Sequence, residues 1–121
     1  MLTPKQQFGA KGENLAKDYL KSLNYTILET NWRRQHLEID IIAQTDLFIV
    51  FCEVKARSSS VMGMPESFVT PQKQRNLIKA AHHYVVSRNI TKEVRFDIIS
   101  ILSKGANHEI QHIPDAFAPK W

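Results

Sequence analysis

Five charged side chains stand inside two runs that otherwise have the composition of buried β-strands. Glu38 and Asp40 interrupt LEIDIIA, and Glu53, Lys55 and Arg57 interrupt LFIVFCEVKAR. Strand side chains alternate, so Glu38 and Asp40 share one face, and Glu53, Lys55 and Arg57 share one face. Gln44-Thr45-Asp46 between the runs is a turn signal. A hairpin with an even loop tipped at Thr45-Asp46 sets Glu38 opposite Glu53 and Asp40 opposite Phe51, diagonal to Glu53. An odd loop without a bulge would turn Asp40 to the other side, so the convergence carries a geometric condition. Carboxylates gathered this way repel one another and call for a cation. Lys55 supplies one positive charge, and a divalent ion would supply the rest. Oxygen ligands of this kind suit a hard ion, Mg²⁺ or Mn²⁺. The alternative is a structural ion-paired strand at the wet end of a sheet.

The elements that must position these groups are legible from periodicity. Pro4 to Leu23 is helical, with Leu15, Ala16, Tyr19, Leu20 and Leu23 on one stripe. Gly9 and Gly12 project toward the same side and would let the helix approach a sheet closely. Glu13 lies at the edge of that face, where it either reaches toward Asp40 or serves as an ordinary first-turn acid. Asn24 reads as the residue just past the helix. Tyr25 to Thr30 is a strand, and Asn31 to His36 a polar loop. In that loop Arg33 and Arg34 either grip phosphates beside a stacking Trp32, or are solvated while Trp32 packs inward. After the hairpin, Ser58 to Val69 is a loop that leaves from Lys55 and Arg57. Thr70 caps a second helix with Pro71 at its first position. Gln72 and Lys73 in its first turn either bind a phosphate or belong to an ordinary exposed basic face. Val94 to Leu102 is a further strand. Glu109 to Ile113 is a short last strand at an edge, stopped by Pro114. In the tail, Phe117 and Trp121 either fold back on the core or contact a second subunit.

Several of these segments together carry a resemblance. Asp40 followed by Glu53-Val54-Lys55 is similar to the D…(D/E)-x-K signature of the restriction-endonuclease-like nucleases, although Ile39 stands where the name of that motif puts proline. Gly12-Glu13-Asn14, Asn31-Trp32-Arg33, Glu38-Ile39-Asp40-Ile41-Ile42-Ala43, Thr70-Pro71-Gln72-Lys73 and Arg95-Phe96-Asp97 resemble the YraN family of bacterial proteins. That family is similar in turn to archaeal Holliday-junction resolvases. The resemblance covers nearly the whole chain. It implies an α/β fold of restriction-endonuclease type, a mixed β-sheet flanked by α-helices. It also implies a Mg²⁺- or Mn²⁺-dependent DNA endonuclease that acts on branched or repair DNA. Asp40, Glu53 and Glu13 would then be metal ligands and Lys55 the catalytic cation. Arg33, Arg34, Arg57, Gln72 and Lys73 would contact nucleic acid, and a homodimer would be the assembly. The competing classes are a catalytically inactive nucleic-acid-binding protein of the same fold, and an interaction subunit that recruits through its edge strand or tail.

Composition sets the bounds. The chain has 121 residues, 43% of them hydrophobic and 23% charged, which suits one domain with one packed core. A net charge of +4 suits a polyanionic partner. Cys52 is the only cysteine, which excludes an internal disulfide and fits the cytoplasm. Alternation turns Cys52 away from Glu53, into the core. No apolar run approaches the ~20 residues of a membrane span. The five histidines have no metal-ligand spacing, and no P-loop or dinucleotide motif is present.

Overall fold

The computed structural model describes residues 4–58 and 69–118. In chain order the elements are α1 (Pro4–Ser22), β1 (Thr26–Arg34), β2 (Leu37–Gln44), β3 (Phe48–Ser58), α2 (Pro71–Ser87), β4 (Glu93–Lys104) and β5 (Asn107–Phe117). The strands form one sheet in the order β1-β2-β3-β4-β5. β3 and β4 are parallel and joined by a crossover that contains α2, while the other neighbours are antiparallel. This is the expected α/β class, a mixed sheet with two helices, consistent with a restriction-endonuclease-like fold.

Alternation along β3 decides which helix covers which face. Ile49 and Phe51 pack with Leu77 and Tyr84 of α2. Val50 and Cys52 pack with Ala16 and Leu20 of α1. The helices therefore lie on opposite faces, and the β3 positions in phase with Phe51, which include Glu53 and Lys55, belong to the α2 side. Gly12 is where α1 comes closest: a Cβ there would stand 2.8 Å from the Ala56 Cβ of β3. Gly9 has nothing within 4 Å, so only one of the two glycines serves the close approach. α1 ends as expected at Asn24, in the left-handed region at φ 67°, with the Tyr25 N–H reaching back to the Leu20 carbonyl at 3.1 Å. Leu23 is exposed instead of completing the buried stripe. α2 starts as expected, its Thr70 hydroxyl accepting from the Lys73 N–H at 3.2 Å.

Two strands are longer than their composition suggests. β1 continues through Asn31, Trp32, Arg33 and Arg34, because Trp32, Arg33 and Arg34 pair with β2 and Trp32 gains a core neighbour in Tyr84, ring centroids 5.3 Å apart. The expected polar loop shrinks to Gln35-His36. β5 runs through Pro114 to Phe117 and does not stop there; on an edge strand the missing proline N–H can face solvent. Phe117 stacks on Phe96 at 5.0 Å, so the start of the tail folds back on the core. Trp121 and most of the Ser58 to Val69 loop lie outside the described residues. No helix among the described residues is long and apolar enough to cross a membrane.

Candidate active site

The β2–β3 hairpin meets its parity condition in a register two residues from the expected one. The ladder pairs Gln44 with Ile49 and ends at Ile41 with Cys52. Its tip is Asp46-Leu47, because the Thr45 hydroxyl accepts from the N–H groups of Leu47 and Phe48 (3.3 and 3.0 Å) and so holds Thr45 and Phe48 as the last pair. Beyond that pair the alternation of β2 breaks at Asp40, because Ile41 packs on the α1 side of the sheet and Ile39 on the α2 side. Glu38 is not opposite Glu53 but turned to β1, where it pairs with Arg33 at 3.4 Å.

The strands part at this step, and the Asp40 side chain closes the gap: its Oδ2 accepts from the Val54 N–H at 2.9 Å. Glu53 is 4% exposed. Two ammonium groups converge on its Oε1, Lys55 at 3.8 Å from the same strand and Lys73 at 3.6 Å from the first turn of α2. Burial raises the Glu53 carboxyl above its ordinary value, Lys73 and Lys55 offset part of that, and Glu38 adds repulsion. Asp40 is pushed up to about 7, first by burial and then by the Glu53 charge. Its Val54 hydrogen bond and Lys73 pull the other way, and Glu13 adds to the rise. The site is therefore short of positive charge even with both lysines present.

Glu13 lies in mid-helix, not in the first turn of α1, so the helix-dipole reading does not apply. It is close enough to act on Asp40, yet among the described residues no three His, Cys, Asp or Glu side chains are gathered tightly enough to hold a metal ion by themselves. Asp40 and Glu53 are the pair that the fold brings together.

A model of the uncharacterised protein family UPF0102 matches residues 12–101, from Gly12 through both carboxylates and α2 to the end of the β4 core. The chain belongs to UPF0102. It is 46% identical over 111 residues to a UPF0102 protein of Christiangramia forsetii, covering 92% of this chain and 93% of that one. It is also 46% identical over 109 residues to one of Flavobacterium psychrophilum (90% and 92% covered) and 45% identical over 113 residues to one of Geobacter metallireducens (93% of each).

The remaining expected contacts of this UPF0102 chain are dispersed. Arg33 and Arg34 are exposed at the end of β1. Arg57 follows Lys55 on the same strand face, its Nε 3.4 Å from the Ser100 hydroxyl. Gln72 is engaged within α2, donating to Asn76 and accepting from Arg75. Lys73 leaves the set of outward cations for the carboxylate pair, a role that sequence reading missed because only the crossover brings α2 to β3. A second constellation was also missed. Asp97, 1% exposed, accepts two hydrogen bonds from Arg95 (2.9 Å each), one from the Asp115 N–H (3.0 Å), and shares a 2.7 Å bond with His112. His112 meets the Tyr19 hydroxyl of α1 at 3.2 Å, and Arg95 meets that of Tyr25 at 2.6 Å. Burial alone would raise the Asp97 carboxyl, but bonds from His112, Arg95 and Asp115 hold it below its ordinary value. This network fastens β5 and α1 to β4. The one sequence sign of it was the charged pair Arg95 and Asp97 inside an apolar strand.

Proposed function

We propose that the protein is a metal-dependent DNA phosphodiesterase, with Asp40 and Glu53 as its ion-binding pair. The observation that carries this reading is the Asp40 carboxyl. It sits beside Glu53 and is raised to about 7, so the pair lacks positive charge that two lysines do not supply. Hard oxygen donors in this state fit Mg²⁺ or Mn²⁺. A bound ion would polarise the phosphate and lower the pKa of its water. Val54 keeps Asp40 oriented through its N–H. Lys55 orients the attacking water and offsets charge building on the phosphate. Lys73 holds Glu53 in place from α2. Glu13 acts from α1 as an outer ligand or base. Arg33, Arg34 and Arg57 contact the nucleic-acid backbone. The buried free Cys52 fits a cytoplasmic setting. A homodimer would give so small a domain enough surface for a branched substrate.

The test is a panel of duplex, flap, junction and single-stranded DNA with Mg²⁺ or Mn²⁺, read beside Asp40→Asn. Cleavage that the variant loses supports the proposal. The second reading is a non-catalytic nucleic-acid-binding protein, favoured by the two lysines that already partner Glu53. Under that reading DNA binds, no substrate is cut, and Mn²⁺ gives no calorimetric heat.

A further inference from the structure

The positive charge of this chain is concentrated in one stretch. Residues 67–92 contain five Lys and Arg (Lys73, Arg75, Lys79, Arg88 and Lys92) and no Asp or Glu. The chain as a whole carries +4, so everything outside this stretch nets −1. α2 occupies most of it. The helix buries Leu77, Ala80, Ala81 and Tyr84 against the sheet and turns Arg75, Lys79 and His82 outward. Arg75, Lys79 and His83 follow one another about 6 Å apart along the axis, on one side of the helix.

β1 extends this face. The Trp32–Tyr84 ring contact and the Arg88–Glu29 pair at 3.3 Å lay β1 along α2. Arg34, at the end of that strand, is thereby brought beside the helix. The His83 imidazole reports the crowding: it is lowered by loss of hydration and by the positive charges of Arg34, His82 and Lys79. Among the described residues no carboxylate pairs with Arg34, Arg75 or Lys79. An unneutralised cationic face costs self-repulsion, which an anionic partner would relieve.

We infer that the outer face of α2, with Arg34 at its flank, is the docking track for a nucleic-acid backbone that leads to Lys73 and the carboxylate pair. A lipid surface suits this face less well. Interfacial helices present Trp, Phe or Leu beside their cations, and the one exposed large apolar residue of α2 is Val86. The face has instead the guanidinium and ammonium donors that phosphate oxygens accept, with the amide of Asn76 between Arg75 and Lys79. The track rests on the proposed function for its nucleic-acid partner and for Arg34 as a backbone contact. It extends that reading by assigning binding to α2 and not to α1.

A salt titration of fluorescence anisotropy, with a labelled duplex oligonucleotide and a chelator present, tests the track. Each lost phosphate contact lowers the slope of log affinity against log salt by about 0.9. Arg75→Ala/Lys79→Ala should lower it by about 2, and Arg34→Ala by about 1. Lys17→Ala/Lys21→Ala, the same charge change on α1, should leave the slope as it is. An α2 pair with an unchanged slope overturns the inference, and so does an α1 pair with an equal loss. Binding to phosphatidylserine vesicles without oligonucleotide binding overturns it in favour of a membrane surface. No cleavage is read. A protein that binds along α2 but cuts nothing loses only the phosphodiesterase reading, and one that cuts with an unchanged α2 slope loses only the track.

Discussion

At the residue scale, the carboxyl of Asp40 couples the site to pH. Its folded value is about 7, whereas an unfolded aspartate titrates near 4. Between these values the folded chain holds a proton that the unfolded chain has released. Stability therefore falls as pH rises from about 4 to about 7, and the penalty persists above. Asp40→Asn keeps an acceptor for the Val54 N–H and removes the penalty. In metal-free buffer at pH 8 the variant should be more stable than the parent by on the order of 2–4 kcal/mol, with the gap closing toward pH 4. Denaturant titrations at the two pH values check this, and equal gaps would show that the raised carboxyl does not govern stability. Lys55 acts differently. Lys55→Met keeps the stem and removes a cation 3.8 Å from Glu53. Mn²⁺ affinity by calorimetry should hold or rise, while cleavage falls by about two orders of magnitude, the scale of one lost electrostatic donor. Unchanged cleavage would make Lys55 a structural partner of Glu53.

At the element scale, the approach of α1 to β3 depends on one missing side chain. A Cβ at Gly12 would meet the Ala56 Cβ at 2.8 Å, and both belong to backbones packed face to face. Gly12→Ala should cost about 1–3 kcal/mol by overpacking. Gly9→Ala, in open space on the same helix, should instead stabilise by up to about 1 kcal/mol through helix propensity. Opposite signs in urea midpoints are the expected result. The β4–β5–α1 seam depends on Asp97, which serves Arg95, His112 and the Asp115 N–H together. Asp97→Ala leaves those donors buried without their acceptor and should cost about 3–5 kcal/mol, read by denaturant unfolding. Its lowered carboxyl gives the reverse pH sense to Asp40. The stability it contributes is present above the unfolded carboxylate range and is lost as pH falls through its own, lower value.

At the scale of the whole molecule, the carboxylate pair and the chain's excess of positive charge are carried by different layers. The sheet holds Asp40, Glu53 and Lys55, and α2 carries the acid-free cationic stretch past them. The crossover between parallel β3 and β4 is what joins the two, because it must return the chain over the face that Glu53 occupies. Both sheet edges are irregular: β1 shifts register between Ile27 and Glu29, and β5 bends at Asp115, φ 51°. Such edges resist pairing with another strand. A dimer, if light scattering finds one, should therefore use side-chain packing and not an extended sheet. A monomer at high concentration, with and without DNA, would remove the dimer from the proposal.

Local pattern by itself determined the two helices and the five strand cores. Period is a property of neighbouring residues and survives a shift of register. Thr70, Pro71 and Asn24 likewise announced helix ends through their own backbone preferences. Tertiary structure alone decided how those pieces met. The Thr45 hydroxyl set the hairpin tip at Asp46-Leu47, and beyond the last pair, Ile41 with Cys52, Asp40 meets β3 through the Val54 N–H while Glu38 pairs with Arg33. Pairing with β2 made a strand of Trp32 to Arg34, against their loop-like composition. Lys73 met Glu53, and His112 met Asp97, across separations that no local pattern spans. Side-chain type and spacing told which groups could do chemistry, but the crossover and the sheet order told which of them are neighbours.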